Sequence, residues 1–313
     1  MRLTSIDIGT NTILMLIADV GPGNAVTPVR DDQVIARLGK GVDAHRMITA
    51  ETMNRVLGFL SSYKEASDSL GSNKIIACGT SALRDASNRR EFIDLIWKTL
   101  GLEVTVLTGE EEADLTFLGA VSGFSWSDGD KPQAVLDIGG GSTELTTGKN
   151  GVVASRVSLD LGSVRLTERI LRSSPPSAKS LGLALEEVEK QTSALPRLPS
   201  GTQLTGVAGT ATTLAAIDLN LKEYDRLRVN GHTLSLSAID LIFENLKTCD
   251  LEQMAHDYPQ IEAGRKDIIL AGIIILIGSM KRLSVDCIRV SDRGLRFGIA
   301  LREYSRQADN RRQ

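Results

Sequence analysis

Cysteine is scarce in this sequence, and what there is does not organise. Cys78, Cys249 and Cys287 are the only three among 313 residues; odd in number, far apart and without metal-ligand spacing, they exclude a disulfide framework. They read as small buried hydrophobes in a reducing, cytoplasmic setting. His45, His232 and His256 show neither a ligand spacing nor the Ser-His-Asp arrangement, so no zinc site or triad is indicated and they read as structural or surface residues. No long hydrophobic run occurs either. The longest, 268–277, falls well short of the roughly 20 residues that cross a bilayer and reads as a buried helix. The apolar run after Arg2 is broken at once by Asp7 and Gly9, unlike a signal peptide. Charge of neither sign dominates: 36 Lys and Arg against 39 Asp and Glu give −3, which excludes a protein that coats nucleic acid. Neither a membrane nor a nucleic acid is an expected partner.

What is there is ample apolar material, 42% of residues with 24% charged, the balance of a globular protein. A chain of this length exceeds what one core usually supports, so two domains are expected. An internal repeat points the same way. Ser5-Ile6-Asp7-Ile8-Gly9-Thr10-Asn11-Thr12 aligns without a gap to Val135-Leu136-Asp137-Ile138-Gly139-Gly140-Gly141-Ser142 at an offset of 130 residues. Each copy sets an apolar run before the Asp and a strand-like run after the turn, 13–20 and 143–147, with third strands over 25–29 and 152–157. Helical spacing then predicts helices over 49–70, 90–100 and 110–124, separated by strands over 74–78 and 103–107. The second half continues with helices over 162–171, 180–195, 210–219, 235–246 and 268–283 and strands over 203–207 and 287–290. A last helix over 295–306 is placed to pack back on the first domain. Strands alternating with helices imply parallel pairing beside each hairpin, hence an α/β fold. Ser125 to Lys131, polar and glycine-containing, is the expected linker.

Four features are able to carry chemistry. An Asp followed by a glycine turn and a hydroxyl presents backbone N–H groups to phosphate oxygens while its carboxylate holds a hydrated divalent cation; a plain hairpin is the competing reading of either turn taken alone. Glu110, Glu111 and Glu112 stand together: Thr108 with Glu111 fits a capping box, Glu110 suits a first helical turn, and Glu112 has no capping duty. Arg84 closes a short loop after a strand and is by itself also an ordinary surface charge. The segment from Gly206 through Gly209, Thr210, Thr212 and Thr213 joins a strand to a helix N-terminus, an arrangement that receives anions and equally makes a tight packing turn.

Asp7-Ile-Gly-Thr-Asn-Thr12, Thr80-Ser-Ala-Leu-Arg84-Asp, Gly109-Glu-Glu-Glu112-Ala113, Asp137-Ile-Gly-Gly-Gly-Ser-Thr-Glu144, Leu161-Gly-Ser-Val-Arg-Leu166, Gly206-Val-Ala-Gly-Thr210 and Ser291-Asp-Arg-Gly-Leu-Arg296 occur in this order. Over nearly its whole length the chain resembles the exopolyphosphatase and guanosine pentaphosphate phosphohydrolase (Ppx/GppA) family, in its short two-domain form. That family belongs to the sugar kinase, heat-shock chaperone and actin superfamily. The resemblance implies two duplicated actin-like (ribonuclease H-like) domains with a cleft between them, 1–124 plus 298–313 and 125–297. It makes Glu112 the catalytic base and Arg84 a phosphate contact. Gly9, Thr10, Asn11, Thr12, Gly139, Gly140, Gly141, Ser142, Thr143, Gly209 and Thr210 are then expected to bind phosphate. Asp7, Asp137 and Glu144 are expected around Mg²⁺ or another divalent cation. The implied reaction is hydrolysis of the terminal phosphoanhydride of polyphosphate or guanosine pentaphosphate. A kinase of the same superfamily and a non-catalytic phosphate or nucleotide sensor are the alternatives, and a homodimer is compatible with each. Longer relatives carry further helical domains that help bind long polyphosphate, so a chain ending at Gln313 carries no implied preference for long chains.

Overall fold

The computed structural model describes residues 1–124 and 131–310; the linker expected over 125–131 lies, save Lys131, outside them. The chain divides into two compact units, Met1–Ser122 with Arg293–Gln313, and Gly123–Asp292.

In the first unit β1 (Arg2–Ile8) and β2 (Thr12–Gly21) form an antiparallel hairpin with Ile8 opposite Ile13. This leaves Gly9 to Thr12 as the turn. β3 (Ala25–Ile35) extends the hairpin, while β4 (Lys74–Gly79) and β5 (Val104–Val106) add in parallel. The order is β3-β2-β1-β4-β5. Between them run α1 (Val42–His45), α2 (Ala50–Ser69), α3 (Ser81–Asp85) and α4 (Arg89–Leu100), with α5 (Gly109–Val121) last. β1 is buried on both faces, which is why it reads as a nearly continuous apolar run. Ile6 and Ile8 pack with Met53, Val56 and Leu60 of α2. The alternate side chains Leu3, Ser5 and Asp7 lie on the other face, where Leu3 packs with Phe297, Ala300 and Leu301 of the C-terminal helix.

The second unit repeats the plan. β6 (Gln133–Ile138), β7 (Thr143–Lys149) and β8 (Val152–Leu159) form the hairpin and its third strand; β9 (Gln203–Val207) and β11 (Cys287–Val290) follow in parallel. The short strand β10 (Thr233–Ser235) is added antiparallel at the edge, giving β10-β11-β9-β6-β7-β8. Its helices are α6 (Ser163–Arg169), α7 (Ala178–Thr192), α8 (Ala208–Asp218), α9 (Arg226–Val229), α10 (Leu236–Leu246), α11 (Leu251–Asp257) and α12 (Ile269–Leu283). Buried on nearly every side, α12 is the enclosed core helix expected of an all-round apolar sequence. No helix among the described residues is long and apolar enough to cross a membrane.

The final helix, α13 (Leu295–Asn310), belongs to the first unit and packs on α5. A Cβ on Gly298 would lie 1.8 Å from the Leu115 carbonyl oxygen, and one on Gly119 2.2 Å from that of Gly294. Only glycine permits backbones to come so close. Several expectations shift. Residues 293–297, assigned above to the second domain, fall in the first unit because Leu295 and Phe297 are buried there among its own side chains. Only Cys78 is a buried cysteine; Cys249 is half-buried and Cys287 exposed. Arg84 sits in the short helix α3, and α1, α9, β10 and α11 are elements too short for periodicity to reveal.

Candidate active site

The first unit holds an ion pair between a buried carboxylate, Glu112, and a half-buried guanidinium, Arg84. Thr108 caps α5 by accepting from the Glu111 N–H at 3.1 Å, while the Glu111 carboxylate accepts from the Thr108 N–H at 2.8 Å. This box occupies Glu111 and turns the next residue, Glu112, inward, where it is 9% exposed. Arg84 reaches it from α3. Its Nη1 donates to Glu112 Oε2 and, at 3.0 Å, to the Leu107 carbonyl. Burial pushes the Glu112 carboxyl above the ordinary carboxylate range, and the Arg84 charge and hydrogen bond only partly offset it. Among the described residues, Glu112 Oε1 and the Nε and Nη2 of Arg84 make no hydrogen bond. The pair thus keeps one acceptor and two donors for something else.

The two repeated turns are the same structure. The Gly9 N–H donates to Thr12 O at 3.1 Å, and the Gly139 N–H to Ser142 O at 3.0 Å. A Cβ at either glycine would crowd that carbonyl, at 2.7 and 3.1 Å. In the second turn the carbonyls of Gly139 and Gly140 accept from the N–H groups of Ser163, Val164 and Arg165 at the start of α6. Gly162 allows this approach, since a Cβ there would lie 2.4 Å from the Gly140 backbone. With the carbonyls so occupied, the N–H groups of Gly140, Gly141 and Ser142 have no partner among the described residues. Consecutive free N–H groups form an anion-receptive nest. Register then sets Asp137 opposite Glu144, both on one sheet face beside this nest. Glu144 is buried and accepts from Ser158 Oγ at 2.7 Å.

Some expected contacts point elsewhere. The Thr10 side chain packs against Gly39 and that of Thr210 against Gly272 of α12, since a Cβ on either glycine would lie 2.2 or 2.3 Å from it. Thr143 Oγ1 donates to the Leu161 carbonyl. These three hydroxyl residues hold their turns together, leaving their backbones as the groups on offer. Asp7 is buried on the α13 face of β1, in register with Cys78, and Asn11 accepts the Arg37 N–H through its carbonyl at 2.8 Å. At the start of α8, Ala208 is left-handed (φ 65) and a Cβ on Gly209 would meet the Arg265 guanidinium at 2.9 Å. A non-glycine residue held in that region is strained, a condition frequent at working sites. Two arginines beside these turns escape a reading of sequence alone: Arg265, and Arg165, whose Nε donates to the Gly141 carbonyl at 2.8 Å. Arg165 belongs to the Leu161-Gly-Ser-Val-Arg-Leu166 motif, but only α6 folding onto the turn brings it there.

Among the described residues no group of three or more His, Cys, Asp and Glu side chains gathers to hold a metal. Asp137 and Glu144 are nonetheless a donor set that fits Mg²⁺, which commonly takes one or two carboxylates and completes its shell with water and substrate phosphate.

Two repeats of one hairpin-plus-parallel-strand sheet place the chain in the actin-like, ribonuclease H-like fold class. Residues 16–307 match the Ppx/GppA phosphatase family, and the chain belongs to it. It is 36% identical over 317 residues to Exopolyphosphatase 2 of Mycobacterium tuberculosis, covering 96% of this chain and 98% of that protein. The crystal structure of the Aquifex aeolicus Ppx/GppA family member is 31% identical with a TM-score of 0.84, covering 98% of both chains. That of an exopolyphosphatase from Cytophaga hutchinsonii is 27% identical with a TM-score of 0.83, covering 96% of both.

Proposed function

We propose that this protein hydrolyses the terminal phosphoanhydride of inorganic polyphosphate or of guanosine pentaphosphate in the cytoplasm, releasing orthophosphate. The observation that carries the reading is the pairing of buried Glu112 with half-buried Arg84, with one carboxylate oxygen and two guanidinium N–H donors uncommitted. Glu112 Oε1 accepts a proton from water as the water oxygen bonds to the terminal phosphorus. The bridging P–O bond breaks, and the remainder of the substrate departs one phosphate shorter. A carboxyl raised by burial is a stronger base than a free one and so is better matched to that proton. Arg84 Nε and Nη2 donate to the phosphoryl oxygens, offsetting the charge that spreads over them in transfer. The N–H groups of Gly140, Gly141 and Ser142 hold phosphate in the second unit, with Arg265 adding positive charge at the α8 turn. A Mg²⁺ ion held by Asp137 and Glu144 would supply charge neutralisation of the phosphates, and Asp7 is the carboxylate that the first unit offers to a divalent cation. The exopolyphosphatase names of relatives support polyphosphate as substrate.

Orthophosphate release is to be measured side by side from short polyphosphate, long polyphosphate and guanosine pentaphosphate, with Mg²⁺ and with EDTA, and no acceptor added. Release from at least one, suppressed by EDTA, is expected. Release only when an acceptor hydroxyl is supplied would make the protein a kinase, and binding without release a sensor.

A further inference from the structure

The first glycine turn is clasped by a segment that the hydrolytic reading leaves unused. After β3 the chain runs through residues 36–41 before α1 opens. There the Arg37 N–H donates to the Asn11 carbonyl and the Gly39 N–H to the Thr10 carbonyl, each at 2.8 Å. Arg55 of α2 holds the near end, donating from Nε and Nη2 to the Ala36 carbonyl at 3.2 and 3.0 Å. Leu38 and Val42 anchor the segment in the core that also holds Ile8 and Ile13, the pair that closes the turn. Between these two anchors Lys40 is left exposed, and its ammonium has no partner among the described residues.

This segment is held in place rather than relaxed. Arg37 is left-handed, at φ 49, a conformation that a non-glycine residue keeps where its surroundings impose it. A Cβ on Gly39 would lie 2.2 Å from Thr10 Cγ2, so the segment and the turn are in direct contact. The second unit repeats the device with different residues. At the offset of 130, Thr10 and Asn11 correspond to Gly140 and Gly141. The Gly140 carbonyl accepts from the N–H groups of Val164 and Arg165, and the Gly141 carbonyl from Arg165 Nε, with Gly162 as the glycine that lies against the turn. In each unit a separate segment thus covers the same two carbonyls. Covering them turns acceptors away from an anion and leaves N–H groups on offer; the Thr10 N–H has no partner among the described residues. Each segment also brings a cation to its turn, Arg165 in the second unit and Lys40 in the first.

We propose that Lys40 is a further substrate-binding residue, its ammonium donating to a phosphoryl oxygen of a phosphate chain held at the first turn. Residues 36–41 position it there, with Arg55 fixing their near end. A lysine is a compact charge with three donors on a flexible stem, so it serves any phosphate of a chain and recognises no base. Its effect is on affinity, not on the chemical step. The proposal rests on the reading of this chain as one that holds phosphates.

The test uses the full chain and tripolyphosphate, with binding followed by calorimetry in EDTA and orthophosphate release by steady-state kinetics in Mg²⁺. Lys40→Ala should weaken binding and raise KM by about five- to tenfold, the loss of one charge-assisted hydrogen bond at an exposed position. Its kcat should stay within about twofold, as expected when ground state and transition state lose the same contact. Lys40→Arg should restore affinity and Lys40→Glu weaken it further, with urea midpoints equal to the parent's in all three. Lys98→Ala, which removes the same charge from an exposed position in the last turn of α4, should change neither binding nor rate. Unchanged affinity and KM in Lys40→Ala, an equal loss in Lys98→Ala, or no recovery in Lys40→Arg overturns the assignment of Lys40 while the parent still binds and hydrolyses. A parent chain that neither binds tripolyphosphate nor releases orthophosphate from it would instead remove the phosphate-holding reading, and Lys40 with it.

Discussion

Glu112 is expensive to bury and is nevertheless buried, and the consequences are measurable. Replacing it with Gln keeps its shape and removes the base. Turnover should fall by about 10²- to 10⁴-fold, the usual contribution of a positioned proton acceptor, with substrate affinity nearly unchanged; retained orthophosphate release would remove Glu112 from the role. The acid limb of the pH-rate profile should lie above the ordinary value of 4.5, because burial raises this carboxyl. Arg84 pulls the other way, so Arg84→Ala should move that limb further up as well as slow the reaction. Stability carries the same sign. A carboxyl whose pKa is higher folded than unfolded gives up stability as pH rises from its unfolded value through its folded one. Glu112→Gln should therefore unfold at higher urea than the parent at pH 7, with the advantage shrinking as the pH is lowered toward 4.5.

At the scale of elements, α5 is aimed by its packing on α13. The contact is backbone against backbone at Gly119 and Gly298, so Gly298→Ala must separate the helices. A cost of about 1–3 kcal/mol is expected, typical of overpacking, read as a lower denaturant midpoint together with slower turnover because α5 carries Glu112. An unchanged midpoint would mean that the two helices do not constrain each other. The long elements were legible in sequence: Thr49 caps α2, the stripe at Met53, Val56, Leu60 and Tyr63 faces inward, and the box at Thr108 and Glu111 opens α5. The short ones, α3, α9, β10 and α11, were not, since three to seven residues hold too few turns or alternations to show a period. Arg84 stands out in the sequence as a charge after a strand, but nothing there marks the helix α3 that carries it. Its helix is one turn long and is fixed by what Arg84 and Leu83 touch.

For the whole molecule, the two units differ in how they are assembled from the chain. The second is one continuous stretch with its own six-stranded sheet and core. The first is completed only when α13 returns to cover Leu3, Leu16 and Val20. A fragment of residues 123–292 should therefore unfold cooperatively by itself, whereas 1–122 should not until a peptide of 293–313 is supplied; cooperative unfolding of 1–122 alone would contradict this division. The duplication itself needed no coordinates, because Asp-Ile-Gly and a closing hydroxyl at an offset of 130 residues are local facts about a turn, and a four-residue hairpin is specified by its own glycines. So were the class of fold and the candidates Glu112 and Arg84, since motif order is written in the chain. What only tertiary structure decided is which groups face one another. Arg84 and Glu112 are 28 positions apart and form an ion pair; Asp137 and Glu144 share a face through strand register; and Thr10, Thr143 and Thr210, expected to touch phosphate, turn their side chains into packing. A residue type announces which bonds it can make, but burial and distance, set by distant segments meeting, select the ones it does make.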